Sequence, residues 1–476
     1  MVDGISKLVV HAAQTSPENI PKEVCEKTKT LFLDTMGCIL AGSSAEGIVE
    51  LKKAMNFWGG NKQATVFSED IKTSAPEAAF INSVMCHAND FDDTHDKAVN
   101  HGCVTIVPAL IATCEAIHPE RISQFNTSFT SCLVSGKEFI AALAVGLDVA
   151  NRLGMAFIPY LHTGWLPTTL WGPFGCVAAC GRILNLDTEK MHNAFGLAYS
   201  QIHGNRQALA DGRLAKRMQP GFSAAIGVRS AFYAAMGITG AENIIDGSFG
   251  IPALYTLGKV DYEYLTENIG EAYETSNISI KPYPCCRCTH PVIDAALELK
   301  DKHNINWEDI EEGTIYLPPN SMGQIGNQFA IRDNPTVDAQ FSAQYTASLA
   351  FIKGRPRLED FNKEKVIQRK EISFLATKFK SIEYEKDKSG ITPVRFEIKL
   401  KNGKELSTVI EHTKGSSENP LTEEELLFKF NDCLDNSIIE FDVDQREKIL
   451  KAINNIEYAK DICEITCLFN KKQNEF

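Results

Sequence analysis

At 476 residues the chain exceeds one ordinary hydrophobic core, and its 44 % apolar and 23 % charged content is that of a globular protein with two domains. A formal net charge of −13 repels phosphate backbones and anionic lipid. Nucleic-acid and membrane-surface partners are therefore not expected, although a local basic pocket can still take an anionic small molecule.

Residues 1–17 carry no apolar or Arg-rich targeting pattern, and no stretch reaches the ~18–20 uninterrupted apolar residues of a membrane span. The fourteen cysteines then read as reduced thiols in a cytoplasmic protein. Asn126-Thr127-Ser128 and Asn277-Ile278-Ser279 fit the glycosylation triplet, without meaning in that compartment. The first half predicts helices. Ser74-Ala75-Pro76-Glu77 has the form of a capping box before the apolar run Ala78 to Met85. Ser135-Gly136-Lys137-Glu138 is a second, opening Phe139 to Met155. Small-residue helices are expected over 175–184, 188–200 and 223–236, and residues 119–136 read as a polar surface loop.

The pattern changes near Gly270. Thr314 to Leu317 predicts a short strand, and Val394, Phe396, Ile398 and Leu400 alternate with charged residues before Asn402-Gly403 and a second strand, Leu406 to Ile410. That spacing predicts a hairpin with a type I′ turn. Thr422-Glu423-Glu424-Glu425 is a third capping box, and helical periodicity returns after it. The expected fold is mainly α: a large all-helical domain (1–268 and 421–476) with an inserted smaller α/β lid domain (269–420).

Four segments could carry chemistry. His87 to Asp96, followed by His101, packs four carboxylates and three imidazoles into fifteen residues. Such neighbours shift one another's proton affinities and can supply a base near neutral pH; the bland alternative is a polar turn capping a helix. Asp211 to Gly221 holds Arg213, Lys216 and Arg217 among glycines, which suits a carboxylate clamp or an ordinary basic loop. Lys281-Pro282-Tyr283-Pro284-Cys285-Cys286-Arg287-Cys288-Thr289-His290 fixes its backbone with prolines and contains a CxxC. A zinc site lacks a second pair of ligands, so buried structural thiols are the expectation and no metal is assigned. Gln340 to Tyr345 is a helix fragment with Tyr345 as a possible proton donor. Dinucleotide, P-loop and serine-hydrolase signatures do not occur in the sequence.

Taken in order, these segments resemble the MmgE/PrpD family, over about residues 6–463. Asp90-Phe91-Asp92-Asp93-Thr94-His95 with His101 is similar to its acidic motif, Ala210-Asp211-Gly212 with Lys216 and Pro220-Gly221 to its central motif, and Lys281 to Pro291 to its third. The resemblance implies a helical domain with an α/β lid, a homodimer, no metal or organic cofactor, and a lyase (dehydratase or decarboxylase) acting on a small polycarboxylate. It implies that Asp90, Thr94, His101, Lys216, Lys281 and Tyr345 line the site. On chemical grounds His101, Asp90, Lys216 and Tyr345 are expected to be catalytic, and Thr94, Asp93, Lys281, Arg217 and Tyr283 to contact substrate. By chemistry, His101, tuned by Asp90 or Asp93, would move the proton. Lys216 and Lys281 would offset the substrate carboxylates and the enolate-like charge that grows beside them.

Leu166 and Cys286 stand where members can carry histidine, so proton transfer next to a carboxylate is the core of the reading and decarboxylation one outcome of it. Epimerisation on the same fold and a catalytically silent carboxylate binder are the alternatives. From another enzyme class, Asp92 to Asp96 matches the DDxxD of Mg2+-dependent prenyl-diphosphate enzymes, with Asn431, Asp432, Asp435 and Glu440 as an imperfect second half.

Overall fold

The computed structural model describes residues 3–68, 71–124, 129–162, 164–384 and 390–470. The triplet at Asn126–Ser128 lies outside them. The chain forms two compact units. Met1–Ala88, Asp92–Ile278 and Cys433–Phe476 make a helical unit, and Asn89–Phe91 with Ser279–Asp432 make a mixed one. The changes of unit at Ile278 and Asp432 fall beyond the expected joins at 268 and 420, and Asp90 and Phe91 of the acidic motif belong to the mixed unit.

In the helical unit, the helix Ala215–Ala235 packs against Ala75–His87, Cys103–Ile117 and Pro167–Ile183. Small residues permit those crossings: a Cβ on Gly227 would lie 2.0 Å from the Cβ of Cys176. Around them a core including Leu153, Phe157, Trp171, Phe174 and Phe195 closes, with the Phe157 and Trp171 rings stacked at 5.3 Å. Gly136–Phe157, with its extension to Tyr160, is long and apolar enough to cross a membrane by composition, yet 94 % of its apolar window is buried inside the protein. It is an interior helix. Besides helices, the unit carries one small ribbon, Ala64–Val66 against Ile71–Thr73.

Of the three capping boxes, only Thr422–Glu425 closes reciprocally. The Ser135 side chain caps Glu138 N–H, but the Glu138 carboxylate bonds Arg182 instead. Ser74 makes no side-chain cap, and its helix starts on Ala75 and Pro76. The central basic segment does not form a loop throughout. Its helix begins at Ala215, well before the expected start at 223, and so includes Lys216 and Arg217.

The mixed unit holds a four-stranded sheet in the order Phe379–Glu383, Ile310–Leu317, Val394–Leu400, Glu405–Ile410; the first pair is parallel and the others antiparallel. Val394, Phe396, Ile398 and Leu400 face inward as their alternation predicts. The Phe351, Phe379 and Phe396 rings pack together beneath them, and the helices His290–His303 and Ala343–Lys353 cover this face. The hairpin forms with a different turn. Gly403 N–H donates to Leu400 O at 2.8 Å and only Gly403 has positive φ (84°), so the loop is a type I turn closed by a left-handed glycine, not type I′.

Buried charge ties the helical unit together. Arg152 donates to Asp148 Oδ2 at 2.8 Å and to the carbonyls of Tyr264, Glu267, Asn268 and Ala272 at 2.5–3.2 Å. Removing one partner of a buried ion pair costs roughly 3–5 kcal/mol because the other stays charged without compensation. Arg152→Met is therefore expected to lower the urea midpoint of the helical unit by a loss of that order, read by far-UV circular dichroism.

Candidate active site

The acidic motif folds back on itself. His95 N–H donates to Asn100 O at 2.7 Å and Asn100 N–H returns to His95 O at 3.3 Å, which closes the segment 95–100. The turn is strained, with the β-branched Val99 at φ 49°. His95 is spent on it: Nδ1 accepts from Ala98 N–H, and Nε2 meets the Glu274 carboxylate at 3.0 Å. That bond is the main reason why Glu274 is held at about 2.

Closure of this turn returns His101 to the residues just before it. His101 Nδ1 lies 2.7 Å from the Asp93 carbonyl and 3.1 Å from Asp92 Oδ2, and its backbone N–H donates to Thr168 Oγ1 at 3.0 Å. Both neighbours of Nδ1 are acceptors, so Nδ1 carries the proton and Nε2 keeps the basic lone pair. The Asp92 side chain is 1 % exposed, whereas that of His101 keeps 22 % of its surface. A buried carboxylate behind a partly open imidazole is the arrangement of a general base.

The carboxylate beside His101 is thus Asp92, where Asp90 or Asp93 was expected. Asp93 turns its oxygens on the N–H groups of Gly102 and Cys103, each at 3.2 Å, and caps the helix Cys103–Ile117. Burial, and then the Asp92 charge, push its carboxyl up to about 6. His87 was not singled out by the sequence. It ends the helix Ala75–His87 and sets Nδ1 2.9 Å from the same Asp92 Oδ2. Burial is the main cause that brings it down to about 4, and the nearby Lys216 cation adds to the shift.

Among the described residues, His87, Asp92 and His101 also gather three potential ligand atoms within 4.8 Å. The geometry does not favour an ion there. Nδ1 of His101, the atom turned inward, faces two acceptors and bears hydrogen rather than a lone pair. Lys216 and Arg217 stand half-buried on the first turn of Ala215–Ala235, and Thr94 is buried in the turn region. Within the helical unit the structure sets His101 against Asp92 and Asp93, and the Lys216 charge acts on His87 beside them.

The mixed unit holds the remaining residues. Lys281, 1 % exposed, donates to the Asp90 carbonyl at 2.9 Å and pairs with Asp90 Oδ1 at 3.3 Å. Asp90 sits at φ 54°, a left-handed conformation that Asp tolerates, and Lys429 holds the next carbonyl, that of Phe91, at 2.8 Å. The Tyr283 hydroxyl donates to Asp294 at 2.8 Å. Tyr345 is fully buried, its ring 4.8 Å from that of Phe329. Both tyrosines lie in the apolar core of this unit, and burial pushes the phenol of each well up.

Comparison with known proteins also divides the chain between residues 263 and 283, with the second match running on to residue 455 in the helical unit. The model of the MmgE/PrpD N-terminal domain matches residues 6–263, and that of the C-terminal domain matches residues 283–455. The chain belongs to the MmgE/PrpD family. It is 25 % identical over 473 residues to the cis-aconitate decarboxylase-like protein oryM of Aspergillus oryzae, covering 96 % of this chain and 95 % of that one. It is 24 % identical over 480 residues to cis-aconitate decarboxylase of Aspergillus terreus (97 % and 96 % covered), and 25 % over 462 residues to that of Homo sapiens (94 % and 91 %). These relatives are lyases by name, in line with the class expected from the sequence.

The competing motifs read differently in this MmgE/PrpD chain. For the DDxxD reading, Asp92 and Asp93 are engaged as described, Asp432 takes Arg357 and the Leu358 N–H, and Asp435 takes Arg446. In the CxxC, Cys285 contacts Thr289 Oγ1 at 3.0 Å, and burial pushes its thiol up to about 12. A hydrogen bond with Cys288, followed by burial, raises Cys286 further. Thiolate chemistry is disfavoured there. Leu166 precedes the helix Pro167–Ile183, two residues before the Thr168 that holds His101.

Two outcomes follow from these environments. Lys281→Met should destabilise the mixed unit by roughly 3–5 kcal/mol, because Asp90 would keep its buried charge; a urea midpoint equal to wild type contradicts the pair. His87, near 4 when folded and about 6.5 when unfolded, favours unfolding as pH falls from about 6.5 to 4. Above that window its contribution is fully present. His87→Asn should therefore gain stability relative to wild type between pH 7 and pH 5, measured as the change in urea midpoint.

Proposed function

We propose that the protein is a lyase for a small polycarboxylate, in which His101 moves the proton at a carbon next to a carboxylate. The observation that carries this reading is the setting of His101 Nδ1: two acceptors claim it, one of them a buried carboxylate, which leaves Nε2 as the basic nitrogen. The decarboxylase names of the relatives support cis-aconitate as the first substrate to test.

Removing a proton beside a carboxylate leaves a carbanion that needs nearby positive charge. Lys216 supplies such a charge within electrostatic reach of the Asp92 pair, as its effect on His87 indicates. If water leaves, His101 takes the proton from carbon while the hydroxyl departs with the C–O pair. If CO2 leaves, the C–C pair remains on the substrate as an enolate-like anion, and His101, entering the step as an imidazolium protonated from solvent, donates that proton to it. If the proton comes back on the other face, the product is an epimer. His101 thus acts as base in the first outcome and as acid in the second, while epimerisation also needs a proton donor on the opposite face.

Incubation in D2O with cis-aconitate, citrate, 2-methylcitrate and iminodisuccinate separates these outcomes by CO2 release, alkene absorbance and deuterium incorporation. CO2 release from cis-aconitate is expected; no exchange, elimination or CO2 with any of the four would sink the proposal. General acid–base catalysis contributes about 10²–10⁴-fold, so His101→Gln should lower turnover by at least about 100-fold. Lys216→Ala should lose about 10²–10³-fold, the scale of a lost electrostatic stabiliser. Wild-type rates in either variant reject its assignment.

A further inference from the structure

We propose that His87 is a positioning residue for the proton-transfer base: its Nδ1–H holds the Asp92 carboxylate in the anionic form that His101 needs. The proposal rests on His101 as that base. His87 and His101 approach one oxygen, Asp92 Oδ2, from two sides at 2.9 and 3.1 Å, with their rings edge to face at 5.1 Å. The His87 and Asp92 side chains are 2 % and 1 % exposed, so water does not solvate the negative charge.

A carboxylate in such a place takes up a proton unless donors stabilise the anion. A neutral imidazole does so without adding a positive charge that would compete with the His101 imidazolium. His87 meets this requirement, since burial keeps it neutral far below pH 7. The other groups around the trio are Lys216 from Ala215–Ala235, Lys27, Asp34 and Cys38 from Lys22–Ala41, Cys86 on the helix of His87 itself, and Asp93 with Cys103. The neutral-donor role falls to His87, whose Nδ1 lies 2.9 Å from the Asp92 oxygen that His101 also approaches.

Loss of the His87 donor makes the Asp92–His101 pair bind its proton more tightly, so its midpoint rises. The test is 15N-histidine NMR on the full chain through pH 4–9, which needs no substrate. Wild type should show both His87 and His101 as Nδ1–H tautomers, with His87 neutral at pH 6. In His87→Leu the His101 midpoint should rise by about one pH unit, a tenfold change in proton affinity. His87→Asn, whose amide N–H can replace Nδ1–H, should return the midpoint to within a few tenths of wild type. With cis-aconitate as probe, where His101 acts in its protonated form, the alkaline limb of kcat/KM should move with the NMR midpoint.

An unmoved midpoint in His87→Leu, an Asn variant no different from Leu, or an Nε2–H tautomer at His87 overturns the proposal. Should His87→Leu fail to fold, the wild-type tautomer and the His87→Asn midpoint decide in the same way. Failure of the base assignment has a separate mark: His101→Gln would keep wild-type turnover while the NMR results stood.

Discussion

Asp92 is the point on which the helical unit's chemistry turns. Its carboxylate is withdrawn from water and meets an imidazole on each side. Ionised carboxylates are costly to bury, and hydrogen bonds to the charged form offset much of that cost. The same bonds fix which nitrogen of each ring bears hydrogen. Burial, charge and tautomer are therefore one constraint, and the reactive face of His101 follows from it.

Several parts of the fold exist in the form needed to satisfy that constraint. The helix Ala75–His87 ends where His87 can reach Asp92. The strained turn through Val99 brings His101 Nδ1 back to 2.7 Å from the carbonyl of Asp93, eight residues earlier, and Thr168 at the start of another helix fixes the His101 backbone. Asp93, next in sequence to Asp92, has a different task, because its side chain points to helix N–H groups instead of an imidazole. Its raised proton affinity and the lowered one of His87 share burial as the leading cause. The direction differs because burial disfavours the charged form of each, an anion in one and a cation in the other.

The acidic motif also serves the mixed unit. Asp90 and Phe91 are held through their carbonyls by Lys281 and Lys429, and the Asp90 side chain adds an ion pair to the first of these. A left-handed residue needs such support from its surroundings. The short stretch thus serves both units: Asn89–Phe91 are packed into one and their neighbours into the other.

The sequence by itself determined the class of fold, the inward face of Val394–Leu400 and the segments that matter, because periodicity and motif order are properties of the linear chain. It also raised the expectation that an acidic protein acting on an anion would use a local group of cations such as Lys216. Tertiary structure alone decided which carboxylate serves His101. Asp90, Asp92 and Asp93 are chemically equivalent in the sequence, and a turn that closes one residue earlier or later would exchange their roles. His87 went unassigned for the same reason, since its use depends on where a helix stops. Likewise, the turn at Asn402-Gly403 and the early helix start at Ala215 depend on packing that competes with local preference. Side-chain direction at a helix end or a tight turn is set by contacts distant in sequence, and those contacts exist only once the chain has folded.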